Sequence, residues 1–227
     1  MTVQVIGKHP HDRQAFTQGL VIQDGAMFES TGLYGRSTVR QVDPNTGGVI
    51  NQVSLQPDLF GEGLAATGNR LVQLTWREGT AIVYDIATLR ETARHHYKGE
   101  GWGLCHDGKR FIMSDGSAVL QFRDTQTFDV TGTLTATLRG TPLSGLNELE
   151  YAGNCLYANI WGDDRIVRID PLSGAVTAEI DASGLLQPNE RTQADVLNGI
   201  ACDPSRGTFF ITGKLWPAIF EVRFVNK

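Results

Sequence analysis

The 227-residue chain is 41% hydrophobic and 20% charged, an ordinary globular composition with room for one large domain or two small ones. A formal net charge of −5 leaves no basic stripe for a nucleic acid or an anionic membrane. No apolar run approaches the roughly 18 residues of a membrane span, so neither partner is expected.

Met1-Thr2-Val3-Gln4 opens directly into a strand-like pattern, and no export signal is expected within it. From there the chain reads as short β-type runs separated by Gly, Asp and Asn turn signals, with almost no helical periodicity. Gly19-Leu20-Val21-Ile22 is a first strand, Asp24-Gly25 a hairpin turn, and Ala26 to Ser30 a second strand. Ser37 to Val42 is a third, and Asp43-Pro44-Asn45-Thr46-Gly47 turns into Val49 to Val53. The Asp that closes this third strand recurs as Asp85, Asp124 and Asp170. A carboxylate there can take backbone N–H groups two residues on, which suits the start of a tight turn.

The same frame recurs five times. Aligning its x-Gly-Leu openings puts Gln18, Glu62, Trp102, Asn147 and Asn198 at one equivalent position. Fourteen residues on from the first four stand Gly32, Trp76, Gly116 and Trp161; in the fifth copy Pro204-Ser205-Arg206 lengthens the turn, and the equivalent is Lys214. A period near the 40–45 residues of a propeller blade predicts an all-β, five-bladed β-propeller with four antiparallel strands per blade. The blades fall at about 16–55, 60–99, 100–140, 146–182 and 197–224, in a single domain over 1–227. The fifth copy runs out after three strands, and residues 2–7 are expected to supply its fourth, closing the ring and removing open sheet edges. The long connection 181–196 reads either as a surface loop holding one helical turn or as a lid over one end of the channel.

First strands line the channel of a propeller, so equivalent positions form a ring at one level. Gln18, Glu62, Trp102, Asn147 and Asn198 form that ring, with Trp76, Trp161 and Lys214 near the same mouth. The expected result is a small pocket with aromatic walls, one carboxylate, one ammonium and several amides. Against this stand simpler roles: amides tying blades together (preferred for Asn198), tryptophans packing between blades, and a structural Glu62–Lys214 pair. Glu62 is the hardest to dismiss, because burying a lone carboxylate costs several kcal/mol. Trp216 has no equivalent in the ring and reads as loop packing. Cys105, Cys155 and Cys202 each lie in an apolar run and read as buried structural thiols. His9 and His11 could share a strand face, a weak case for a metal.

The motifs FTQGL (Phe16 to Leu20), FGEGLA (Phe60 to Ala65), LTW (Leu74 to Trp76), GEGWGL (Gly99 to Leu104), LNELE (Leu146 to Glu150), NIWGDD (Asn159 to Asp164), LNGIA (Leu197 to Ala201) and TGKLWP (Thr212 to Pro217) run in order along nearly the whole chain. In these it resembles the glutaminyl-peptide cyclotransferases of the plant and bacterial type, which are five-bladed propellers. The resemblance implies conversion of an N-terminal glutamine to pyroglutamate with loss of ammonia, on peptide or protein substrates. It implies Glu62 as catalytic acid/base, assisted by Gln18, Asn147 and Lys214, and Phe16, Trp76, Trp102 and Trp161 as substrate-facing aromatics. No cofactor or metal is expected, a monomer is expected, and family members are usually exported to the periplasm or secreted. Two other uses of the ring stand beside this one. Glu62, Asn147 and Asn198 are oxygen donors that could hold a calcium ion for lactone hydrolysis, and a non-catalytic propeller could bind partners on its rim.

Overall fold

The computed structural model describes residues 1–226, and in it each copy of the repeat becomes an antiparallel sheet. Strand β1 is Thr2–Pro10. The first sheet holds β2 (Thr17–Gln23), β3 (Ala26–Thr31), β4 (Thr38–Val42) and β5 (Val49–Ser54). The second holds β6 (Gly61–Thr67), β7 (Arg70–Thr75), β8 (Thr80–Asp85) and β9 (Glu91–His96). The third holds β10 (Leu104–His106), β11 (Phe111–Met113), β12 (Val119–Arg123) and β13 (Val130–Thr135), followed by a small hairpin of β14 (Thr137–Leu138) and β15 (Thr141–Pro142). Next come β16 (Leu146–Ala152), β17 (Cys155–Ile160), β18 (Arg165–Ile169) and β19 (Val176–Asp181), then a single helical turn, α1 (Pro188–Arg191). The chain ends in β20 (Leu197–Asp203), β21 (Thr208–Gly213) and β22 (Ala218–Val225).

Local chemistry accounts for the turns. Asp24 and Gly25 both take positive φ (52° and 79°), as do Gly153 and Asn154 (57° and 58°), the conformation a two-residue hairpin requires. Asp43, Asp124 and Asp170 accept the backbone N–H two residues on, and Asp85 accepts that of Thr88, three on. The first strands are mostly buried and the fourth strands β5, β9 and β13 largely exposed, as in β6 against β9, while β19 is mostly half-buried.

β1 pairs antiparallel with β22 from Thr2↔Val225 to Pro10↔Ala218, and so becomes the fourth strand beside β20–β22. It is longer than the 2–7 expected, because Lys8, His9 and Pro10 continue the pairing opposite Phe220, Ile219 and Ala218. A single parallel pair, Thr2↔Asp181, joins this sheet to β19. The first strands lie against one another in the order β2, β6, β10, β16, β20, and β20 lies against β2 again. A hydrophobic cluster fills the space between each neighbouring pair of sheets.

Two expectations change. His11 lies beyond the end of β1, fully buried, with its Nε2 3.0 Å from Glu29 Oε1 and its Nδ1 2.9 Å from the Trp216 carbonyl, so it shares no face with His9. Of the cysteines only Cys105 is buried; Cys155 and Cys202 are half-buried, and all three are free thiols. Trp216 packs in the cluster between the last two sheets and donates to the Asp195 carbonyl at 2.8 Å. The 181–196 connection holds α1 and is tied down by Leu185 and Leu186 in that cluster and by Arg191 on Asp164 at 3.0 Å.

Candidate active site

In four of the five copies the repeat position named above falls on a β-bulge, and Trp102 precedes β10. Register shifts lie between Thr17 and Gly19, Gly61 and Leu64, Leu146 and Leu149, and Leu197 and Ile200. A bulge bends its strand and re-aims a side chain, which is how Gln18, Glu62 and Asn147 leave the strand plane at the end of the central axis. The next residue is glycine in four copies, in three of them because backbone passes there: a Cβ on Gly63 would lie 2.5 Å from the Leu104 nitrogen, and one on Gly103 2.0 Å from the Asn147 oxygen, while Gly199 takes a φ of +130°.

A cavity of about 550 Å³ opens at this end. All eight residues expected to form the site line it: Gln18, Glu62, Asn147, Lys214, Phe16, Trp76, Trp102 and Trp161. Asn198 does not; its amide donates to the Thr17 carbonyl at 3.0 Å and to Gln18 Oε1 at 3.2 Å, beneath the floor. That bond orients Gln18, whose own Nε2 donates to Glu62 Oε1 at 2.8 Å. Phe16 meets Phe60 edge-on at 6.2 Å, Phe60 meets Trp76 at 5.5 Å, and Trp102 meets Trp161 edge-on at 6.2 Å. Trp161 is 60% exposed and stands at the rim, while the others lie deeper.

Glu62 is 5% exposed. Burial pushes its pKa well above the ordinary carboxylate range; Lys214 opposes this, and Glu100 and Glu78 add to it. Burial likewise lowers Lys214, against the pull of Glu62 and Asp195. The Lys214 ammonium sits 4.8 Å from the Phe16 ring centroid, and among the described residues no hydrogen bond or ion pair joins it to Glu62. The pair is therefore not a closed salt bridge, and both groups are pushed toward their neutral forms.

Phe60, Leu33, Arg77 and Glu100 also line the cavity and were not singled out from the sequence. The repeat held the signal for two of them: Phe16, Phe60 and Glu100 each stand two residues before the ring position. Glu148 was also missed. It occupies the glycine position of the fourth copy, fully buried, and its two oxygens accept from Leu20 N at 3.1 Å and Ile200 N at 2.9 Å, crossing the axis to two other sheets.

An all-β protein with one deeply buried carboxyl in an aromatic cavity at the end of its axis has the make-up of a small-molecule site. The glutamine cyclotransferase family model matches residues 1–224, and the chain belongs to that family. It is 42% identical over 228 residues to a glutaminyl-peptide cyclotransferase of Arabidopsis thaliana, covering 97% of this chain and 71% of that one. The crystal structure of Myxococcus xanthus glutaminyl cyclase superposes with a TM-score of 0.90 at 40% identity, covering 99% of this chain and 98% of that one. BamB from Moraxella catarrhalis, at 11% identity and a TM-score of 0.55 over 100% of this chain and 99% of that one, shares the fold alone.

Proposed function

We propose that the chain is a glutaminyl-peptide cyclotransferase in which Glu62 moves the proton. Family membership supports the reaction: the α-amine of an N-terminal glutamine attacks its own γ-carbonyl carbon, the lactam C–N bond forms, the amide C–N bond breaks, and ammonia leaves. The observation that carries the assignment of Glu62 is its position, a buried carboxyl in the cavity with a raised pKa and one oxygen held by Gln18.

The α-ammonium has an ordinary pKa near 8 and must lose a proton to become a nucleophile. Glu62 takes that proton and returns it to the departing nitrogen, which a carboxyl poised toward neutrality can do in both directions. Gln18 fixes the carboxyl; Lys214 and the Asn147 amide face the cavity where the tetrahedral oxyanion develops. Phe16, Trp76, Trp102 and Trp161 enclose the glutaminyl side chain and favour the folded conformer that reacts, which lowers the entropic part of the barrier.

The same reading takes the five sheets as the blades of one five-bladed propeller spanning the chain. The closed order of first-strand contacts and a cluster between each neighbouring pair of sheets support it. The test is ammonia release from a dipeptide with N-terminal glutamine, with and without EDTA. Release unaffected by the chelator is expected; no release overturns the reading, and release abolished by chelation transfers the chemistry to a metal.

A further inference from the structure

Between the two tryptophan walls stands a carboxylate to which the proton transfer assigns no task. Glu100 lies in the connection from β9 to β10, at the repeat position where two other copies carry Phe16 and Phe60. Its Oε2 accepts from Trp76 Nε1 at 2.8 Å and from Trp102 Nε1 at 3.0 Å. Its Oε1 accepts from Arg77 Nε at 3.1 Å, and the Arg77 guanidinium lies 3.7 Å from the Trp76 ring centroid. The backbone is stitched to the same wall, with Gly101 N donating to the Trp76 carbonyl at 2.8 Å. An indole N–H only donates. Two indoles can therefore converge on one point only if an acceptor with more than one lone pair stands there.

We infer that Glu100 is a positioning residue for the cyclisation, one carboxylate oxygen setting the spacing and tilt of Trp76 and Trp102 while Arg77 braces it from the rim. This rests on the cavity being the glutamine site. The hydrogen bond from Trp102 comes first among the causes that hold Glu100 below the ordinary carboxylate range, so it stays an acceptor and is no reserve of protons. Its charge also bears on Glu62, with Lys214, Glu78, Tyr34 and Tyr97 the other titratable groups coupled to that carboxyl. Geometry and charge are thus separable. Glu100→Gln keeps an acceptor oxygen and loses the charge, whereas Glu100→Ala loses both.

The experiment compares the full chain with both variants by ammonia release from an N-terminal glutamine dipeptide across pH, by indole emission and by melting temperature. In Glu100→Ala, kcat/KM should fall about tenfold or more, mostly in kcat, because misplacement by an ångström costs up to ~10²-fold, and the indole emission should shift. Glu100→Gln should restore native emission and most of kcat, with the acid limb of kcat moved to lower pH because a negative charge near Glu62 is gone. Native emission and kcat/KM within about twofold in Glu100→Ala overturn the inference. So do equal losses in the two variants with an unmoved acid limb, which mark a residue that only supports the fold. If Glu100→Ala does not fold, Glu100→Leu decides, since it fills the space but accepts no hydrogen bond: shifted emission with kcat lowered about tenfold supports the inference, and native emission with kcat within about twofold overturns it. A wild-type chain that releases no ammonia defeats the functional reading instead, and the emission of the two variants still reads the tether.

Discussion

Replacing Glu62 by glutamine takes away the proton acceptor and little else. The Gln18 amide donates to one carboxylate oxygen at 2.8 Å, and the oxygen of the replacement amide can accept the same bond, so the side chain keeps its place. At 5% exposure, bulk water cannot stand in for the lost base. General acid–base catalysis contributes about 10²–10⁴-fold, or ~2.7–5.5 kcal/mol of barrier. Turnover should fall by that range, with KM within a few-fold because the aromatic walls remain. The pH profile follows from the sign of the shift. Burial first, then Glu100 and Glu78, raise the pKa against Lys214, so the base form is used up as pH falls through the raised value and the acid limb of wild-type kcat lies above the ordinary carboxylate range. In the variant the Glu62 part of the limb should disappear, leaving only the protonation of the substrate amine, which ordinarily falls near pH 8. A raised folded pKa also means that ionising Glu62 costs stability as pH rises, so Glu62→Gln should melt no lower than wild type at pH 8. The assay is ammonia release from a glutaminyl dipeptide between pH 5 and 9, with a melting curve alongside. Near-normal turnover in the variant, or an acid limb that persists unchanged, would refute the assignment.

Deleting Met1–Gly7 removes pairing from Thr2↔Val225 to Gly7↔Glu221 and bares the edge of β22; urea unfolding should show a loss of several kcal/mol, and an unchanged midpoint would contradict the closure. Glu148→Ala leaves the Leu20 and Ile200 N–H groups without their acceptor. At ~1–3 kcal/mol for each buried orphan, it should lose ~2–6 kcal/mol, and a loss below about 1 kcal/mol would show that water takes the place of the carboxylate. Glu29 is fully buried; burial alone would raise its pKa, but His11 and Arg40 hold it at about 2, against 4.5 ordinarily. It therefore contributes ~3 kcal/mol that is present above pH 4.5 and lost as pH falls toward 2. Stability measured against pH should lose this window in Glu29→Gln, and an identical acid profile in the variant would refute the linkage.

The ring of the site was legible because a repeat converts sequence spacing into position. Once Gln18, Glu62, Trp102 and Asn147 share a frame, a closed arrangement brings them to one level without any pairwise contact being known. Glu100 and Phe60 obeyed the same frame two residues earlier, inside the quoted motifs, but were given no part in the site. Their meaning depends on where the indole N–H groups point, which spacing does not encode. Glu148 broke the frame by standing where other copies carry glycine. The reason lies across the axis, in two N–H groups of distant strands, and no local pattern contains it. His11 was misplaced because alternation was carried one residue past the end of β1, where the chain turns inward to reach Glu29.

The pairing of β1 with β22 has a consequence for how the protein is made. Thr2–Pro10 leaves the ribosome roughly two hundred residues before Ala218–Val225. At about 5–20 residues per second, that is an interval on the order of ten to forty seconds. Throughout it, a nine-residue segment that includes Val3, Val5 and Ile6 lacks its antiparallel partner, and only Thr2 has another strand, β19, to pair with. The sheets formed from local hairpins can assemble as they emerge, but this last sheet cannot close until Ala218–Val225 has emerged. Slow translation of the stretch that encodes Ala218–Val225, or a chaperone that shields Thr2–Pro10, would therefore affect the yield of folded protein more than the same event between them.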